Sequence, residues 1–155
     1  MTELTAGGVL LAALWSFGAS AFSAFYFNTG KTDILWGGLI GSAGWVLYTI
    51  VVVKTGSQAQ GYLAGSFAVA LCSELLAVFT HNPATVFLLP GLLPLVPGGG
   101  IFYMMRSAVQ GNLSDALHNG YTTLIAAGAI ALGIALASSA ARIATLLRRH
   151  ILKGK

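Results

Sequence analysis

Between Leu4 and Phe27 the chain carries no charged side chain, and none appears from Ile34 to Val53. Three more apolar runs follow: residues 61–80, interrupted only by Glu74, then 85–105 and 120–141. A helix needs about 20 apolar residues to cross a hydrocarbon core ~30 Å thick. In lipid the backbone of each such run must satisfy its own amides and carbonyls, which a helix does within one segment. Composition agrees, with 8% charged residues against roughly 25% in a soluble domain. The expected fold is all-α: a polytopic membrane protein of about five transmembrane helices. Residues 1–155 are expected to form one transmembrane domain ending in a basic tail at 142–155.

The eight basic residues against four acidic ones do not describe a nucleic-acid surface, because they are not spread over a face. Arg142, Arg148, Arg149, Lys153 and Lys155 crowd the C-terminus, as expected of a cytoplasmic tail under the positive-inside rule. With five spans, Lys31 joins that tail inside while Lys54 and Arg106 face out. A re-entrant proline-rich segment, giving four spans, yields the same tally with Lys31 and Lys54 exchanged, so charge places the tail without counting the helices. Glu3 precedes the first run with no Lys or Arg beside it, so the run reads as a retained span rather than a cleaved signal. Within 106–119, Val109, Leu113, Ala116 and Leu117 fall opposite Gln110, Ser114 and Asp115. That spacing predicts a short helix lying in the interface.

The fourth run carries the most information. Pro90-Gly91-Leu92-Leu93-Pro94-Leu95-Val96-Pro97-Gly98-Gly99-Gly100 places three prolines and a glycine triplet inside apolar sequence. Proline removes an amide donor and clashes with the preceding turn. A main-chain break at membrane depth persists only against protein or beside a polar cavity. Pro97 falls near the middle of the run, so the break is expected near the bilayer midplane. A helix resuming at Gly98, Gly99 and Gly100 would begin with amides that lack intrahelical partners, which suits an anion. Discontinuous spans of this kind hold substrates in secondary transporters; the simpler reading is a packing kink.

Other candidates surround it. Glu74 lies about 9 Å from the end of its run at 1.5 Å per residue, where an acid is expected to face protein or water. It reads as a protonatable coupling group, a ligand for a cationic amine, or a structural hydrogen-bonding group. Arg106 attracts a carboxylate at the pathway mouth or anchors a helix end. Tyr103 offers a hydroxyl to the site or belongs to an aromatic belt. His81, His118 and His150 read as solvated, Trp15, Trp36 and Trp45 as packing or belt residues, and Cys72 as a small buried hydrophobe. No zinc, redox or phosphate-binding motif is present, and no pattern pairs a serine with a histidine. Neither an enzyme nor a cofactor is expected.

Small residues recur at helical spacing: Gly37 and Gly41, Gly61 and Gly65, and Ala129, Gly133, Ala137 and Ala141. Such stripes let helices approach closely in lipid. Five short helices offer few neighbours for so many stripes, which points to a partner subunit.

The stretch from Asn82 to Tyr103, with Pro90, Pro94, Pro97-Gly98 and the following Tyr103, resembles the signature of the bacterial threonine/serine exporter family. It is most similar to the small subunit of the family's split, two-component form, which includes succinate exporters. The strong part covers about 22 residues; elsewhere the likeness lies in the length, order and Gly/Ala content of the spans. Family members often carry a basic residue just before the Pro83 position, where this chain has Thr80-His81-Asn82. The resemblance implies a small subunit with about five spans, acting in the bacterial inner membrane with a larger membrane subunit. It implies proton-motive-force-driven export of threonine and serine, or of dicarboxylates in split forms. Two five-span halves of related structure would have opposite orientations, the inverted repeat that underlies alternating access.

Together these readings give a subunit of a secondary exporter of small carboxylate-bearing metabolites. The expected pathway comprises Pro90, Pro94, Pro97, Gly98, Gly99, Gly100, Tyr103, Glu74 and Arg106. The alternative is a passive channel or assembly subunit in which the break only shapes a pore or an interface.

Overall fold

A computed structural model describes the backbone of residues 6–153 and the side chains of residues 7–143. Among these residues there are six α-helices and no strand: α1 (Ala6–Tyr26), α2 (Lys31–Thr55), α3 (Gln58–Thr80), α4 (Thr85–Leu92), α5 (Gly98–Val109) and α6 (Leu113–Lys153). A single 3-10 turn, Leu93–Leu95, follows α4. Helices α1, α2, α3 and the Leu113–Ile143 part of α6 are each long and apolar enough to cross a membrane. Residues 85–95 and 98–109 form a bent pair at 49° that passes the same test jointly. Glu3 and the basic side chains at 148, 149, 153 and 155 lie outside the described residues.

Left-handed residues set several helix ends. Gly56 (φ 70°) closes α2 and returns its amide to the Val52 carbonyl at 2.8 Å. Asn28 (φ 56°) follows α1, and His81 (φ 58°) closes α3. At the start of α3 the Ser57 hydroxyl oxygen accepts the Gln60 amide, taking one of the donors a helix start leaves free.

The interface helix expected within 106–119 is not formed. Gly111 (φ 76°) ends α5 just after Val109. Asn112 then accepts the Asp115 amide on its side-chain oxygen at 3.2 Å and starts α6. The alternating pattern belonged to two helices meeting at a turn, and Leu113 to Asn119 are the opening turns of α6.

Helices α1, α2 and α3 pack side by side, and α4 lies against all three. The buried core is Ile40, Val69, Phe87 and Leu95, so α4 and its 3-10 turn supply half of it. Small residues permit this. A Cβ on Gly37 would meet Pro90 at 3.5 Å and Ala24 at 3.6 Å, and one on Gly65 would meet the Gly44 carbonyl oxygen at 2.9 Å. The Ser42 hydroxyl also donates across to the Ala13 carbonyl at 3.0 Å. Helix α6 lies along α3 through Ala129, Gly133 and Ala137, all buried. A Cβ on Gly133 would stand 2.7 Å from the Leu63 carbonyl oxygen.

Helix α5 packs chiefly on α6, running antiparallel to it, with Gly100 facing Thr123 and Met104 facing Gly120. The small-residue stripes therefore find neighbours inside this one chain. That weakens the packing argument for a partner subunit, which keeps the exposed Gly18 and Ala19 of α1, Gly18 meeting nothing within 4 Å.

Candidate functional site

The break is built by two missing donors, at Pro94 and Pro97. Pro94 has no amide for the Pro90 carbonyl, which accepts the Leu93 amide instead. Pro97 has none for the Leu93 carbonyl, which accepts Val96 at 3.3 Å. Pairing thus tightens from four residues to three, the signature of a 3-10 turn. Val96 then turns extended (φ −63°, ψ 125°). Pro97 (φ −79°, ψ 53°) is the centre of an inverse γ-turn closed by the Gly98 amide on the Val96 carbonyl at 2.8 Å.

That last bond refines the expectation of three bare glycine amides. Gly98 is satisfied by Val96, and Ile101 bonds to the Pro97 carbonyl at 3.4 Å. Gly99 and Gly100 remain without a main-chain acceptor. Gly98 and Gly99 are exposed, and a Cβ on either would meet nothing within 4 Å. Gly100 is half-buried against the Thr123 side chain. Among the described residues nothing covers Gly98 and Gly99, which face outward at the elbow between α4 and α5.

The remaining candidates are dispersed. Pro90 is buried against α2, and Pro94 is half-buried on the turn. Tyr103 and Arg106 are exposed on α5. Glu74 is half-buried on α3, six residues before its end at Thr80. That end adjoins the 81–84 loop, whose Asn82 side-chain amide donates to Asp33 at 3.0 Å. Arg106 sits near the far end of the bent span, at the 110–112 turn. Glu74 and Arg106 are therefore at opposite ends of the bundle, and neither has a side-chain hydrogen bond or ion pair with the described residues.

A groove of about 370 Å³ opens on the other side of the break, lined by Ala12, Trp15, Ser16, Trp45 and Pro94. Trp45 stacks on Tyr48 with centroids 5.0 Å apart, and Tyr48 meets Tyr62 at 4.6 Å. The Ser16 hydroxyl is already engaged with the Ala12 and Ala13 carbonyls at 2.8 and 3.1 Å. The groove therefore offers a largely apolar wall, with the Trp15 and Trp45 indole N–H groups as its side-chain donors. Its members sit on three separate elements, so no periodicity within one run could mark them together.

Residues 12–140 match the family model described as "Threonine/Serine exporter, ThrE". The chain belongs to this exporter family. The match takes in the whole broken span and every candidate residue above. No curated protein and no solved structure matches the chain. As a member of the family, it is a multi-pass membrane protein with a threonine/serine-exporter type of transport function.

Proposed function

We propose that this exporter-family chain is one subunit of a secondary exporter of small carboxylate-bearing metabolites. It acts with a larger membrane subunit in the bacterial inner membrane, its C-terminal tail in the cytoplasm. The observation that carries the reading is the pair of unbonded amides at Gly99 and Gly100, in the middle of a bent span. A helix start presents its N–H groups and a partial positive charge, and both favour an anion. Gly99 has no side chain to shield its amide, and its surroundings are open. The substrate carboxylate binds there, with Pro90, Pro94, Pro97 and Gly98 fixing the break. Tyr103 lies one turn further along α5 and offers a hydroxyl to the passenger's second polar group. Arg106 draws anions to the mouth of the path, and Glu74 is the protonatable group that couples export to the proton gradient.

The larger subunit closes the outward side of the elbow, which this chain leaves open. Threonine, serine and dicarboxylates such as succinate share the carboxylate that the site selects. The chemistry is binding and release, with no bond made or broken in the passenger.

Cells lacking their own exporters and producing this chain with its larger subunit test the reading. Export of threonine or succinate against a gradient, stopped by a protonophore, is the expected result. Leakage in either direction that ignores the protonophore would show a passive channel instead. Uncoupler-sensitive export retained in Glu74→Gln would take Glu74 out of the mechanism.

A further inference from the structure

The Ser20 side chain is 0% exposed, and its hydroxyl is the one buried side-chain polar atom without a hydrogen-bond partner among the described residues. Three other buried serines in this bundle donate back to their own helix: Ser16 to Ala12, Ser66 to Leu63, and Ser73 to Val69. Ser20 does not. It reaches from α1 into the contact between α2 and α4. A Cβ on Gly41 would collide with the Ser20 side chain and stand 3.2 Å from the Gly91 carbonyl oxygen. Gly91 in turn packs so near α2 that its own Cβ would lie 3.7 Å from the Gly41 amide nitrogen. An orphan donor and a main-chain acceptor thus border the same small gap.

The acceptor is unusual too. Just beyond Gly91 the pairing tightens to three residues, and at that spacing the donor for its carbonyl would be Pro94, which has no amide. A buried polar group without a partner is a local instability, and in a native protein it calls for a reason.

We propose that Ser20 is a positioning residue for the broken span. In the conformation described, its hydroxyl has no acceptor; when α4 slides against α1 and α2 during transport, it donates to the Gly91 carbonyl. The orphan raises the first state and the hydrogen bond lowers the second, so α4 has two positions close in energy. Transport needs such a two-state element. The inference rests on the transport reading for its purpose and on the Ser20–Gly41–Gly91 joint for its substance.

The test uses the full chain with whatever subunit co-purifies, in lipid nanodiscs. Spin labels go on Phe25→Cys and Leu89→Cys, both exposed on α1 and α4, in a Cys72→Ala background because Cys72, expected from its apolar run to be buried, is free and exposed on the outer face of α3. The wild-type Ser20 protein is expected to show two α1–α4 distance populations, and Ser20→Ala only one. Ser20→Ala is also expected to raise the thermal midpoint, because it removes the orphan. Its maximal export rate falls on the order of fivefold, the equivalent of about one hydrogen bond, with half-saturation unchanged. Identical distance distributions in the two proteins, or a midpoint at or below wild type, would overturn the proposal. Two distances in a wild-type protein that exports nothing would leave the Ser20 switch standing and remove the transport reading.

Discussion

The Leu93 carbonyl accepts the Val96 amide at 3.3 Å because the next residue, Pro97, has no amide to give. That substitution of one donor for another tightens the helix, and the chain then leaves helical geometry at Val96 and re-enters it at Gly98. The 49° bend and the two unbonded glycine amides are both consequences of proline spacing. The first half of the span belongs to the α1–α3 bundle and the second half to α6.

Pro97→Ala returns a donor to the Leu93 carbonyl and relieves the constraint on the turn. Pro97 stands between the two helices, where alanine can extend either of them, so the variant is expected to fold, melt at least as high as wild type and straighten the span. Export is expected to fall at least tenfold, on the order of the rate change that 1.4 kcal/mol produces. A thermal melt and an export assay on the same preparation check both; unchanged export would show that the bend serves packing alone.

Gly99→Leu separates structure from function more sharply. Nothing lies within 4 Å of a Cβ at Gly99, so the side chain enters open space. Leucine is a better helix former than glycine by about 1 kcal/mol. The melt should hold or rise while export collapses, since the new side chain covers the amides. Wild-type export would reject this assignment of the site.

Much of this was legible in the sequence, for an identifiable reason. In hydrocarbon an apolar run has little choice but to be a helix, so the runs at 4–27, 34–53 and 61–80 foretold α1, α2 and α3. Their ends were less legible: Lys31 and Lys54 lie inside α2, because long basic side chains extend to the interface from within a helix. The break was readable because proline chemistry is local. The groove was not, since Trp15, Trp45 and Pro94 come together only through packing. The interface helix does not form because the spacing of Val109, Leu113, Ala116 and Leu117 straddles Gly111 and Asn112, which are a stop and a start.

Gly133→Val tests the α3–α6 contact. Its Cβ would meet the Leu63 carbonyl oxygen at 2.7 Å and the Phe67 amide nitrogen at 3.0 Å, both backbone atoms that cannot swing aside. Overpacking of this kind costs about 1–3 kcal/mol, so the melting temperature should drop clearly. Gly128→Ala, where nothing lies within 4 Å, is expected to leave the melt unchanged or raise it slightly. Equal melts for the two variants would contradict the packing described.

Asn82, in the loop before α4, donates to Asp33 in the first turn of α2 at 3.0 Å, tying the two elements together. A double-mutant cycle with Asp33→Ala and Asn82→Ala is expected to give a coupling of about 1 kcal/mol in the unfolding free energy. Strict additivity would mean that the bond does not hold α4 in place.

The central claim, that the amides of Gly99 and Gly100 receive a carboxylate, is tested most directly by amide NMR. The chain, labelled with ¹⁵N-glycine and reconstituted with its co-purifying subunit, is titrated with threonine and then with succinate, assignments coming from Gly99→Ala and Gly100→Ala. Saturable downfield shifts of these two amides, with Gly7 and Gly128 still, are the result predicted. Shifts confined to other glycines, or none at concentrations that support export, would contradict it.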